Sequence, residues 1–231
     1  MRPFWLGRAA IPVLTLLATA CATAPAPGRS ATPSAPAPRG AAVNPAHIKR
    51  IAGDFPPGYE VHSGVDRGAA PDLTWGLAAN AAGVRASPAR CAALADPGAG
   101  REQSARGVSG SGAGGIVDAV VVTLSGPVDP DANLVAACAQ WTMSAAHTTA
   151  GVHLIAAPHV DGAQTLGMVA DLRSSVESGT QIDSRAYTFV AYLGDYYAFT
   201  TLVTDPGAAL PALPPQFAAD LLVTTVSTLR G

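Results

Sequence analysis

Charge is scarce in this chain. Only 13% of its 231 residues are Asp, Glu, Lys or Arg, against about 25% in an ordinary globular domain. The formal net charge is −2, which excludes electrostatic capture of nucleic acid. Lysine occurs once, as Lys49. It follows no glycine-rich loop, so a Walker A phosphate site is excluded, and Ala46 stands where an S-x-x-K nucleophile would need serine. Cysteine occurs three times, as Cys21, Cys91 and Cys138. With no C-x-x-C, thioredoxin-like redox chemistry and a cysteine-rich zinc site are excluded. G-x-S-x-G and H-E-x-x-H are both missing; Gly107-Val108-Ser109-Gly110-Ser111 fails the first at its last position. Apolar residues are plentiful at 48%, enough to exclude disorder of the whole chain.

The N-terminus carries an address. Arg2 and Arg8 form a positive start, and Ala9 to Ala20 is an uncharged apolar stretch too short to span a bilayer, which takes about 20 helical residues. It ends Leu17-Ala18-Thr19-Ala20-Cys21, which resembles a bacterial lipobox with Cys21 as the lipidated residue. Ala18-Thr19-Ala20 also fits an ordinary secretory cleavage site. The expectation is a lipoprotein signal peptide over residues 1–20 and an acylated Cys21, placing the protein on the extracytoplasmic face of the cell membrane, held by two or more acyl chains. Residues 21–43 are dominated by Pro, Ala, Ser and Thr and read as an extended tether of about 60 Å at most; a glycosylated stalk is the alternative.

The globular domain is expected over residues 44–231. Asn44-Pro45 starts a helix with Ile48 and Ile51 on one face and Gly53 closing it. Tyr59 to His62 alternates like a strand, and Leu73-Thr74-Trp75 reads as another. Ser87-Pro88 opens a short helix through Cys91 and Leu94. Gly98 to Gly115 reads as a loop. Ile116 to Leu124 is a buried strand, Asp129-Pro130 caps a helix carrying Leu134, Val135 and Cys138, and strands follow at Trp141 to Met143, Val152 to Ala157 and Gln164 to Leu172. Arg185 to Leu193 and Tyr196 to Thr204 flank the turn Gly194-Asp195 as a hairpin, with Asp205-Pro206-Gly207 ending the second strand. Pairing then joins Tyr192 to Tyr197 and Val190 to Phe199 on one face, with Tyr187, Phe189, Leu193, Tyr196 and Leu202 on the other. Pro214-Pro215 starts a final helix with Phe217, Leu221, Leu222, Val226 and Leu229 at helical spacing. Short turns between late strands imply antiparallel pairing, so the fold class is α+β, helices on an antiparallel sheet.

An exported compartment oxidises thiols, so Cys91 and Cys138 are expected as one disulfide; two buried free thiols are the alternative. Gly110 to Gly115 spells G-x-G-x-x-G, but a strand follows where a dinucleotide site needs a helix. His153, His159 and Asp161 could share a metal ion only through a bend near Pro158. No cofactor is expected. The aromatic hairpin offers a candidate ligand groove at Val190, Tyr192, Tyr197 and Phe199.

The stretches YTFVAYLGDYYAFTTLVTDPG, PPQFAADLLVTTVSTLRG, NPAHIKRIAGDFPPGYEV and SPARCAALADP are similar to small mycobacterial lipoproteins of a domain-of-unknown-function family, the LppK-like group, over residues 44–231. More loosely the chain resembles the extracellular sensor domain of PknH-type receptor kinases. The resemblance implies a surface-exposed envelope domain without catalysis. The functional expectation is a lipid-anchored module binding an apolar or envelope-derived ligand, a lipid or glycan, or an envelope protein. The rivals are an interaction or scaffolding protein with no small ligand, and a hydrolase built on a serine or aspartate beside one of His62, His147, His153 or His159.

Overall fold

The computed structural model describes residues 42–64, 70–77, 83–176, 179–204 and 210–231. The expected signal peptide, Cys21, nearly all of the tether and Asp205-Pro206-Gly207 lie outside the described residues.

Among the described residues nine strands form one antiparallel sheet: β1 (Glu60–Ser63), β2 (Arg85–Ser87), β3 (Gln103–Gly112), β4 (Gly115–Leu124), β5 (Gln140–Ala145), β6 (Thr148–Ile155), β7 (Gln164–Ser175), β8 (Gln181–Tyr192) and β9 (Tyr196–Thr204). Their spatial order is β1-β3-β4-β9-β8-β7-β6-β5-β2. The last five strands in sequence are a meander, and its final strand returns beside β4. A 3₁₀ helix (Pro45–Asp54) precedes the sheet and α4 (Pro215–Arg230) follows it. Short helices α1 (Pro71–Thr74), α2 (Ala92–Ala95) and α3 (Ala132–Ala137) lie in the connections. The α+β class expected from the sequence is the class observed.

Both faces of the sheet carry apolar clusters, as the two-sided hairpin requires. The front cluster includes Trp75, Leu77, Cys91, Leu94, Val120, Val122, Trp141, Met143, Val190, Tyr197 and Phe199. The back cluster joins Ile48, Ile51 and Phe55 to Val117, Val121, Phe189, Leu202, Leu221, Leu222, Val226 and Leu229, so the 3₁₀ helix and α4 cover that face. Asn44 caps the 3₁₀ helix through its side-chain oxygen, which accepts from the Ala46 N–H, and its own N–H reaches the Leu229 carbonyl at 2.8 Å. Cys91 and Cys138 form a disulfide with 5.7 Å between Cα atoms. It ties the 3₁₀ turn Ala89–Cys91 to the end of α3.

The hairpin forms in the expected register, with Tyr192 opposite Tyr197 and Val190 opposite Phe199. Five local readings are corrected. Residues 103–112 are a ten-residue strand, not a loop. Its glycines make room: a Cβ on Gly110 would fall 2.4 Å from the Phe55 ring, and one on Gly112 would fall 2.5 Å from the Tyr59 ring. Bare backbone is what lets two aromatic rings lie on the sheet. Leu73 and Thr74 are helical, because Pro71 sits in the first turn and the Thr74 hydroxyl donates back to the Pro71 carbonyl. Arg85–Ser87 adds an unforeseen edge strand on β5. The α3 cap is Asp131, whose carboxylate accepts from the Asn133 N–H at 2.8 Å. Gly53 lies inside the 3₁₀ helix, which ends where Phe55 turns extended.

Candidate functional site

The back face is covered unevenly. The 3₁₀ helix and α4 pack over β1, β3, β4, β8 and β9, which leaves polar positions of the far strands in solvent. Strand register sets these positions in two transverse rows. One row runs Arg85, Ser144, Thr149, Arg173, Asp183 across β2, β5, β6, β7 and β8; the other runs Ser87, Thr142, Gly151, Asp171, Arg185. Ser144 is half-buried and the other nine residues are exposed. The alternation of these strands puts Trp141, Met143, Ala150, Val152 and Leu172 into the front core and leaves hydroxyls and charges behind.

The two rows line two adjoining cavities of about 520 Å³ each, which share Thr149 and Gly151. At one end the charges are already paired. The Arg173 Nε donates to Asp183 at 3.1 Å and the Arg185 Nε donates to Asp171 at 2.6 Å. The Asp171 carboxylate raises the Arg185 pKa further above its ordinary value. Arg85, at the other end, has no carboxylate partner among the described residues. Gly151 stands in the middle of the floor, and a Cβ added there would meet no atom within 4 Å. The result is an open polar trough floored by small hydroxyl residues, with an ion-paired wall and an unpaired guanidinium facing it.

The front face carries a polar band of another kind. His62, Ser109, Asp118, Thr201 and Thr188 are successive partners across β1, β3, β4, β9 and β8. Thr188 and Thr201 share a hydrogen bond of 3.0 Å. The Trp75 Nε1 donates to Thr188 at 2.9 Å, and the Thr74 and Thr201 hydroxyl oxygens lie within hydrogen-bond reach at 3.2 Å. These bonds hold α1 on the sheet. Beside them Asp72 is 94% shielded from solvent, and one of its carboxylate oxygens has no hydrogen-bond partner. Burial, with repulsion from Asp96, pushes its pKa up to about 7. Burial also raises Asp96 and Asp118 above the usual carboxylate range.

This band brings a histidine, a serine and an aspartate into line, the one arrangement that touches the hydrolase reading. The order is wrong for it. Ser109 gives its hydrogen bond to Asp118, whereas a nucleophile needs its bond to the imidazole and the imidazole its bond to the acid. The His47 ring meets Asn44 and the Thr228 carbonyl. His159 meets only the fully exposed Asp161, at 3.1 Å. Among the described residues no three His, Cys, Asp or Glu side chains gather in a way that could hold a metal ion.

Val190, Tyr192, Tyr197 and Phe199 do share one face, but as interior packing. Their exposures are 0%, 4%, 0% and 0%. The rings of Tyr197 and Phe199 stack at 6.1 Å, and burial raises both tyrosine pKa values. Among the described residues, these four line neither cavity of the trough, nor the pocket at Gly112 to Ile116, nor the one at Glu102 to Ser104. Aromatic content marked the core here, and the trough escaped notice because it has no aromatic residue. Its signal was the alternation of Thr142, Ser144, Thr149 and Gly151 with apolar neighbours.

Fold and site define a class: a disulfide-tied α+β domain on a single antiparallel sheet, open along one polar half of its back face. The chain belongs to DUF5642, a family described as a domain of unknown function, which it matches over residues 44–230. The unknown-function family expected from the sequence is therefore established; the LppK-like branch remains an expectation. An X-ray structure of an uncharacterized protein from Mycobacterium smegmatis, an Rv0999 ortholog, is similar at TM-score 0.60 and 21% identity, covering 82% of this chain and 98% of its own. At that identity the likeness shows the fold. The extracellular domain of PknH from Mycobacterium tuberculosis superposes at TM-score 0.45 and 12% identity, covering 81% of this chain and 92% of its own. No relative is found among curated proteins.

Proposed function

We propose that this protein is a non-catalytic binding module, held at the extracytoplasmic face of the cell membrane by lipid on Cys21, which takes an extended polar envelope ligand in its back-face trough. The trough carries the reading. Its two adjoining cavities of about 520 Å³ each lie within the ~300–1,000 Å³ range of ligand sites. Its hydroxyls make no side-chain hydrogen bonds within the described fold, so their bonding capacity faces outward. The supports for the anchor are the lipobox-like Leu17 to Cys21, the tether and the disulfide, which suits an oxidising compartment. An apolar ligand is disfavoured here, because the aromatic hairpin is consumed by the core.

The test places a photo-crosslinking amino acid at Thr149 in the trough, and at Val223 on the exposed side of α4 as control, in the full chain expressed in its own or a related host. Adducts of one mass class confined to the Thr149 position are expected. Identical adducts at both positions, or none, would defeat the trough reading. Cys21→Ser in the same host should move the protein from the membrane fraction to the soluble one; retention in membranes would remove the anchor.

A further inference from the structure

We infer that the trough selects an acidic oligosaccharide, seating one carboxylate at Arg85 and laying the hydroxylated body of the chain over the Ser144–Thr149 and Thr142–Gly151 positions. This rests on the trough being the binding surface and adds the chemistry of what it binds.

Concavity decides first between a ligand and a second copy of this chain. Two copies meeting face to face would leave both cavities empty, whereas a slender chain fills them. Charge decides next. Arg173 and Arg185 are neutralised by Asp183 and Asp171, and Arg85 is the guanidinium in the two rows left without an anion among the described residues. A ligand that brings an anion there gains a charge-assisted contact, and a carboxylate is one of the anions whose geometry the fork of N–H donors matches. The rest of the floor supplies neutral polar groups. Ser87, Thr142, Ser144 and Thr149 both donate and accept, and Asp171 and Asp183 keep lone pairs beyond those used by the arginines. Such a set matches a string of hydroxyls. It has no aromatic plate, so recognition runs through hydrogen bonds along the ligand's edge rather than stacking on its face. Length follows from the sheet. Arg85 and Arg173 are three strands apart in one row, about 14 Å at ordinary strand spacing, the span of a short oligosaccharide. Gly151 leaves the middle of that path clear.

The experiment uses the chain from residue 21 onward, with Cys21→Ser, and three probes of similar length: trigalacturonate, neutral maltotriose and triglutamate. Binding is followed by calorimetry and by the amide resonances of Ser144, Thr149 and Gly151. Trigalacturonate should bind and shift those resonances. Maltotriose should bind about tenfold more weakly, and Arg85→Ala should reduce trigalacturonate to the same level, as expected for one charge-assisted contact. Gly151→Tyr, at a position where an added Cβ meets no atom within 4 Å, should obstruct the trough floor and abolish binding. Equal binding of maltotriose and indifference to Arg85→Ala would overturn acid selection and leave the trough reading standing. Stronger binding of triglutamate would replace the sugar with an acidic peptide. Full binding by Gly151→Tyr would overturn both readings. Failure of all three probes would overturn this inference alone, with the crosslinking in cells deciding the other.

Discussion

Asp72 works against the fold at neutral pH, and removing its charge should strengthen the protein. Its carboxyl sits in α1 under nearly complete burial, near Asp96, with a pKa raised from 3.8 to about 7. The folded state therefore holds a proton that the unfolded chain gives up near pH 4. Below that pH the two states are protonated alike and the residue costs nothing. Between about pH 4 and pH 7 the folded protein binds more protons than the unfolded one, so stability falls as pH rises; above pH 7 the loss is complete. Three pKa units at about 1.4 kcal/mol each set a ceiling of about 4 kcal/mol on that loss at pH 8, and about 2 kcal/mol at pH 5. Asp72→Asn keeps an oxygen to accept from the Leu73 N–H, the bond that partly offsets burial in the wild type, and discards the charge. Urea unfolding of both proteins at pH 5 and pH 8 reads the difference directly. The variant should be the more stable at both, and its advantage should grow with pH. A variant no more stable at pH 8, or an advantage independent of pH, would refute the placement of an ionisable, poorly solvated carboxylate under α1.

Reducing the Cys91–Cys138 bridge, or replacing both cysteines by alanine, should lower stability by about 4 kcal/mol on the loop-entropy account for a closed span of 47 residues. Chemical denaturation with and without reductant measures it, and an unchanged midpoint would contradict the account. Gly110→Ala should cost about 1–3 kcal/mol by driving a methyl into the Phe55 ring, whereas Gly151→Ala, open on all sides, should be nearly silent; comparable losses at both would show that strand glycine itself, not ring contact, sets the cost.

The long elements were legible because their patterns are redundant. The β8–β9 hairpin announces its register through a two-residue turn, and α4 repeats its apolar positions through Phe217, Leu221, Leu222, Val226 and Leu229. The disulfide was legible from compartment and count. What escaped depended on partners far off in sequence. Gln103 to Gly112 reads as a loop because four of the five residues in its second half are glycine or serine, and it is a strand because Phe55 and Tyr59, about fifty residues earlier, need a floor without side chains. Arg85–Ser87 is too short to show a period. The candidate site was misassigned for a related reason. Both faces of the hairpin looked available, but α1, held by Trp75 and Thr74, closes one and α4 closes the other. The open half lies where neither helix reaches, over strands whose outward residues are small and polar.

The neighbour of β4 in the sheet is β9, and the two are separated by the whole of the chain between Leu124 and Tyr196. A growing polypeptide therefore completes the β3–β4 ribbon long before the strand that flanks it exists. Until then the apolar run Val120-Val121-Val122 presents an open row of backbone donors and acceptors, the feature that invites pairing with another molecule. The five-strand meander can assemble through neighbouring turns alone, but sealing the two pieces into one sheet must await the last strand, a distant contact of the sort that slows folding. The vulnerable moment in this protein's life is thus the interval before β9 arrives, when a half-built sheet needs protection from its own kind.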